Sequence, residues 1–551
     1  MRTLLLLYGL AFVVRAVFMV QYPDPAYPDS YYYVDVARAL ATGQGFNVDF
    51  VWIFAEVGSR IPDPAVLPIP SNAHWLPLAS LVQVPFIAVL GPTAVASALP
   101  AVLIGSLTAP LTWLIARDVG ASRTVQLGAG VLGAIPAAGT VFMAQPENFA
   151  IFQPLAAATL WLAGRGLRGD VRAYVLAGLL VGVASLSRND AFLLGAAVGL
   201  VFVIDRIRAW RAGDVPRLPV SAAVACFALY FLVIAPWWYR QLMVFGTLSP
   251  TASTGSAIWL TEFRQWNSIT ADTSIATFLS QGAGPIITSR LLGFVAAAAN
   301  FAVIVGSVVL VPFMAWGAWR RRRSDDLLPW FLWVGLMFVV WSLLFPLHIP
   351  GGAFIHSAAG MAPHAYVLAL EGVAALVFWI ARRRPAWQPE KAVPVFVWAL
   401  VVFVAATAFL YAPVARASWA AERSSRLALA AELDRRGVPL KDRLMTIDGA
   451  GFKYFTGRPG VTAPDDPIET LQAVAQRYDI RWLILERSAV VAALAPVLAI
   501  DERPSWIGPP VFVIAAAGGG PPALALYPVC VAVGDDRCGA SNVVARARMA
   551  S

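Results

Sequence analysis

The residues of this sequence best suited to chemistry are a few acids, arginines and histidines at the borders of long apolar runs. Taking a proton from an acceptor hydroxyl needs a carboxylate within about 3 Å of it. Asp29, in YPDSYYYVDVARALATGQGF, is placed for that task, and the competing reading makes Asp29 or Ser30 the N-cap of the helix that follows. Tyr32 on that helix offers a hydroxyl toward a substrate, whereas Asp35 falls on another helical face and reads as solvated. Glu147, in FMAQPENFAIF, stands in a short connection beside apolar runs, where an acid is a functional hypothesis by default. Capping of the next helix by Asn148 or Glu147 is its structural alternative. Arg188, in SLSRNDAFLL, is either a guanidinium fork for phosphate or the partner of nearby Asp190. Arg240, in APWWYRQLMVFG, either binds substrate or snorkels in an aromatic belt. His74, Arg264 and His356 complete the set of substrate-binding candidates. The eight-residue separations of His348, His356 and His364 match no compact zinc pattern, so His356 reads better as a hydrogen-bonding group toward phosphate or sugar.

These groups are carried by a chain that cannot be a water-soluble globule. Of its 551 residues 59% are hydrophobic and only 13% charged, against about 25% charged in soluble domains. Such a chain must satisfy its backbone within a bilayer, as helices. The net charge of +9 comes from arginines scattered between apolar runs, which is a topology signal and not a nucleic-acid footprint. Of the three cysteines, Cys226, Cys530 and Cys538, the last two are the only pair suited to a bridge.

Eleven spans are expected, near 3–20, 95–116, 125–143, 149–163, 173–187, 191–208, 218–236, 291–318, 327–346, 363–381 and 393–413. The first run contains Arg15 and lacks a small-residue cleavage site, so it reads as a retained helix with a cytoplasmic N-terminus. The run 76–91 is expected to lie along the outer interface. Five arginine clusters then fall on one side: 117 and 123; 165, 168 and 172; 206, 208, 211 and 217; 320–323; and 382–384. By the positive-inside rule this side is the cytoplasm. An odd number of crossings places residues 416–551, read as a small α/β domain, on the other face. The strand before DGAGFKYFTGRPG is not followed by a GxGxxG loop, which argues against nucleotide binding. Residues 1–415 then form the membrane module, with outer loops at 21–92 and 247–290.

All four histidines and the other candidate residues fall in outer loops or at outer helix ends. Nucleotide sugars are cytosolic, so an enzyme working on the outer face needs a donor anchored in the membrane, and a lipid phosphate suits that need. The marks PDSYYYVDVARALATGQGF, NAHWLPLASLVQVPFIAVLG, QPENFAIF, SLSRNDAFLL and APWWYRQLMVFGTLSP occur in an order that resembles the GT-C superfamily of integral-membrane glycosyltransferases. The resemblance is closest to the family 39 branch of protein O-mannosyltransferases and lipid A aminoarabinose transferases. It covers most of residues 1–250, and FIHSAAGMAPHAYVLALEGV and YFTGRPGV with RYDIRWLILE extend it. It implies a mainly α, GT-C-like bundle of about 11 helices in the plasma (inner) membrane, with an extracytoplasmic α/β domain. It further implies an inverting transfer of sugar from a polyprenyl-phosphate donor to a glycan, lipid or protein acceptor. By position Asp29 matches the catalytic acid of the first loop and Glu147 the second-loop acid that supports the site. A divalent metal ion, where one is used, would be held by Asp29 and Glu147. Arg188, Arg240 and His356 correspond to donor-phosphate contacts. With lysine confined to Lys391, Lys441 and Lys453, arginine must take the place of any phosphate-binding lysine of relatives. The alternative function is a lipid-linked substrate transporter or flippase, which predicts polar groups near the bilayer midplane and often repeated halves; the chain shows no internal repeat.

Overall fold

A computed structural model describes residues 1–551 apart from 253–257, 346–352, 385, 517–518, 532–537, 539–544 and 549–551. The chain divides into two compact units, Met1–Asp24 with Leu76–Pro250 and Ala283–Val414, and Pro25–Trp75 with Thr251–Gly282 and Ala415–Ser551. The sequence reading left the two outer loops with the membrane module; here residues 25–75 and 251–282 fold with the tail.

The first unit is a helix bundle. Among the described residues six helices are long and apolar enough to cross a membrane: Arg2–Gln21, Ala94–Asp118, Val220–Phe245, Ala283–Val305, Phe354–Ala381 and the start of Pro389–Arg435. Of the other five expected spans, Phe149–Leu167 and Phe192–Ala212 are continuous helices of 19 and 21 residues, and the remaining three are shorter or broken. Arg123–Ala134, for example, gives way to a 3-10 segment at Ala137–Ala144, and Val171–Ser185 has 15 residues. The protein is a multi-pass membrane protein. Apolar side chains such as Leu5, Phe227, Leu232, Phe403 and Leu410 point outward, because lipid leaves no reason to bury them.

Small residues let the helices approach closely. A Cβ on Gly317 would run into the Leu368 carbonyl, and one on Gly372 into that of Phe313, so helices Val311–Arg321 and Ala353–Ala381 cross backbone to backbone. Arg15, the residue that argued against a signal peptide, is fully buried. Its guanidinium donates to the carbonyls of Ala134 at 2.9 Å and Gly133 at 3.3 Å, which lose their intrahelical partners where Arg123–Ala134 ends.

Arginines of three of the clusters meet at one end of this bundle, on Asp118 and on Asp325 and Asp326, which follow the fourth cluster in sequence. Asp118 accepts from Arg117 and Arg165 and pairs with Arg168; Arg168 also pairs with Asp326, and Asp325 with Arg208 and Arg217.

The second unit is built on a seven-stranded sheet. Its first loop supplies β1 (Asn47–Val48), β2 (Phe50–Val51) and β3 (Ile69–Pro70); the tail supplies β4 (Arg443–Thr446), β5 (Gly460–Thr462), β6 (Ile480–Glu486), β7 (Phe512–Ala515), β8 (Leu524–Pro528) and β9 (Ala545–Arg548). The strand order is β2-β5-β4-β6-β8-β7-β9, while β1 and β3 form a separate antiparallel pair. The β2, β5, β4 and β6 neighbours are parallel, as expected for strands joined through helices Gly449–Thr456 and Ile468–Arg477. Thus a first-loop strand edges the tail sheet, with Val51 opposite Val461. The loop 251–282 is tied to the tail by Asp466, which accepts from the Ile269 N–H at 2.7 Å and from the Ser268 and Thr270 hydroxyls. Leu429, Leu433, Leu444, Phe452, Ile484 and Leu526 belong to the core. Cys530 and Cys538 are bridged, and Cys226 is a free, buried thiol.

Candidate active site

In the first unit the local fold brings together three of the candidate residues, Glu147, Arg188 and His356. Glu147 is buried at the entry to helix Phe149–Leu167. Its Oε2 accepts the Phe149 N–H at 2.8 Å, so it satisfies one of the free donors there, and its Oε1 lies 3.2 Å from His356 Nδ1. The sequence posed capping and function as alternatives for Glu147; one oxygen caps while the other faces an imidazole. The His356 ring stacks on Phe149, with centroids 4.2 Å apart and 9° between the planes, and its Nδ1 is 3.4 Å from Asn148 Oδ1. The next residue of the same helix, Ser357, receives a hydrogen bond from Arg188 Nη2 at 3.0 Å and donates to Asp190. Arg188 itself grips Asp190 with Nε and Nη2, at 2.9 and 3.2 Å, in the two-point geometry natural to a guanidinium and a carboxylate. Consecutive positions His356 and Ser357 therefore join the acid of one loop to the ion pair of another. For Arg188 the geometry is that of the ion-pair reading. Arg240 stands over the rings of Trp237 and Phe245, 4.9 and 5.6 Å from their centroids, as an arginine in an aromatic belt does. His364 is fully buried farther along the His356 helix, and His348 lies outside the described residues.

In the second unit Asp29 occupies the first turn of helix Pro28–Ala41. The N-cap is Tyr27, so neither Asp29 nor Ser30 is the N-cap residue of the reading that competed with catalysis. Asp29 is partly exposed, whereas Ser30 and Tyr32 are buried. Tyr32 donates from its hydroxyl to Glu56 Oε1 and accepts from the Asn72 N–H, both at 2.7 Å. Its ring packs among Phe50, Trp52 and Trp75. The side chain expected to meet substrate thus organises the interior of the first loop. His74 is packed edge-on to Trp75 and Trp266, and desolvation there lowers its pKa to about 4. It is neutral at physiological pH. Arg264 is exposed and pairs with Glu262 at 2.6 Å.

Two acids that sequence reasoning missed are perturbed by burial. The Glu56 carboxyl is raised to about 7, against the opposing hydrogen bond from Tyr32. Asp35, expected to be solvated, is raised to about 8 despite the cations Arg38 and Lys453. Only the folded surroundings could reveal this, since the same spacing suits a wet helix face. Because both carboxyls bind their protons more tightly folded than unfolded, their contribution is fully present below about pH 4 and is lost as pH rises through about 7 and 8. The melting temperature of the purified protein is expected to fall from about pH 4.5 to about pH 8 and to level off above that, and Asp35→Asn to flatten that fall; an identical slope in the variant would refute the assignment.

Residues 72–239, which include Glu147 and Arg188, match the sequence model of the family described as dolichyl-phosphate-mannose-protein mannosyltransferase. No curated protein sequence matches the chain. Among solved structures, ArnT from Cupriavidus metallidurans, bound to undecaprenyl phosphate, is 14% identical with a TM-score of 0.51, over 96% of this chain and 98% of its own. The chain has the fold of the GT-C glycosyltransferases. The same GT-C fold is seen in the oligosaccharyltransferase AglB from Archaeoglobus fulgidus, in complex with an inhibitory peptide and a dolichol-phosphate. That structure is 14% identical with a TM-score of 0.50, over 87% of this chain and 69% of its own.

Proposed function

We propose that the protein is a membrane glycosyltransferase that moves a sugar from a polyprenyl-phosphate donor to an acceptor on the extracytoplasmic face, with inversion and with Asp29 as general base. The observation that carries this reading is the linked Glu147–His356 and Arg188–Asp190 cluster at the ends of bundle helices. A phosphate leaving group needs cationic or hydrogen-bonding groups where its charge develops. His356, oriented by Glu147 and by stacking on Phe149, and Arg240, in its aromatic belt, serve that need. Arg188, neutralised by Asp190, holds the helix that carries His356 through Ser357. In the transfer the acceptor oxygen bonds to the anomeric carbon, the bond to the lipid phosphate breaks, and the acceptor proton passes to Asp29. The lipid phosphates in the ArnT and AglB structures support a donor of this class. The same reading places the protein in the plasma membrane, with the N-terminus cytoplasmic and the tail outside.

The test is incubation of the purified protein in lipid nanodiscs with radiolabelled polyprenyl-phosphate sugars and, separately, with nucleotide sugars. Release or transfer of sugar from a polyprenyl-phosphate donor, and none from nucleotide sugars, is expected. Intact donors crossing the bilayer of proteoliposomes without any bond breaking would overturn the proposal in favour of a flippase.

A further inference from the structure

At the arginine-bearing end of the first unit a cavity of about 500 Å³ opens between helix ends. Helix Val311–Arg321 finishes there, Ala353–Ala381 comes to its last turns, and Arg123–Ala134 and Pro389–Arg435 begin there. Its lining is divided in character. Ala374, Ala375, Phe378 and Val393 make an apolar wall, on which Phe378 is 48% exposed. The polar end carries Arg320, Glu390 and the hydroxyls of Ser122 and Thr124. The level of the cavity is that of a membrane interface, since Arg322 stands over Trp319 and Arg383 over Trp379, 4.3 and 3.8 Å from the ring centroids.

The charges select the occupant. Arg321 also lines the cavity but is consumed by Glu371, with Nε 2.9 Å from Oε2. Arg320 and Glu390 have no ion pair among the described residues, so the cavity presents one uncommitted cation and one uncommitted anion. A purely anionic headgroup would satisfy Arg320 and be repelled by Glu390. A headgroup with a phosphate and a primary ammonium answers both. The phosphate end would also meet the start of helix Arg123–Ala134, where Ser122 accepts the Val125 N–H and keeps its own proton to donate. The apolar wall requires a chain attached to that headgroup.

We propose that this cavity binds a zwitterionic phosphoethanolamine lipid, its phosphate on Arg320, its ammonium on Glu390 and its acyl chain along Phe378 and Val393. The occupant is a resident lipid and not the sugar donor, and its recognition does not depend on glycosyl transfer.

Native mass spectrometry of the delipidated full-length protein, titrated with dioleoylphosphatidylethanolamine, dioleoylphosphatidylglycerol and soluble glycerophosphoethanolamine, tests this. The ethanolamine lipid is expected to bind more tightly than the glycerol lipid. Arg320→Gln and Glu390→Gln are each expected to weaken it about two- to fivefold, the range of a partly solvated ion pair. Glu390→Gln is further expected to shift the preference toward the glycerol lipid. Both residues are exposed, so neither change threatens folding. Equal or tighter binding of the glycerol lipid by the unaltered protein, or no response to either substitution, would overturn the site. Soluble headgroup binding as tightly as the lipid would overturn the lipid assignment.

Discussion

Asp29→Asn is expected to slow sugar transfer by about 10²- to 10⁴-fold, the contribution of a positioned general base, with the protein still folded and still binding donor. The side chain is partly exposed in the first turn of its helix and is not the N-cap residue, and asparagine matches aspartate in size, so the substitution removes the charge while keeping the shape. Initial rates at saturating donor, with donor binding measured separately, distinguish lost chemistry from lost affinity. Undiminished transfer in the variant would remove Asp29 from the base role. Glu147→Gln makes a useful contrast. Its amide oxygen can still accept the Phe149 N–H, while the charge that faces His356 is lost. A changed pH profile in this variant, beyond a lower rate, is expected if Glu147 works through the imidazole; a lower rate with an unchanged profile would speak against that coupling.

The second large effect is on stability. Arg426 is 3% exposed and faces three carboxylates, Asp448 at 2.6 Å, Glu422 at 2.8 Å and Glu486 at 3.3 Å, with the rings of Tyr31 and Phe452 above it. Arg426→Met is expected to destabilise the second unit by about 3–5 kcal/mol, because it strands buried negative charge with no cation to answer it. Burial raises the carboxyls of Glu422, to about 7, and of Glu486, so both are ready to take up a proton in response. Adding Glu486→Gln to the variant should therefore recover part of the loss, a coupling that a plain cavity effect would not show. Thermal unfolding and limited proteolysis of the tail measure both. A variant that resists proteolysis as the unaltered protein does would contradict this account of the cluster.

The division between sequence and structure follows from what each kind of signal contains. Apolar runs and arginine clusters are local and periodic, so the helices, the membrane setting and the grouping of basic residues could be read directly. The ion pairs around Asp118, Asp325 and Asp326 join three of those clusters at one end of the bundle. Asp29 and Glu147 could be singled out because acids at bilayer borders are costly and rare. What could not be read were contacts between residues far apart in the chain. These include the β2 strand of the first loop beside β5 of the tail, the burial of Tyr32 against Glu56 and Asn72, and the desolvation of Asp35. They also include the shared helix through which His356 and Ser357 bind Glu147 to the Arg188–Asp190 pair.

Composition and periodicity by themselves determined that this chain lives in a bilayer as helices, since an unpaired backbone cannot persist in lipid. Which polar groups stand in water, which are buried and which answer one another was decided only by tertiary packing. Desolvation and hydrogen bonding depend on neighbours in space, and spacing along the chain does not encode them.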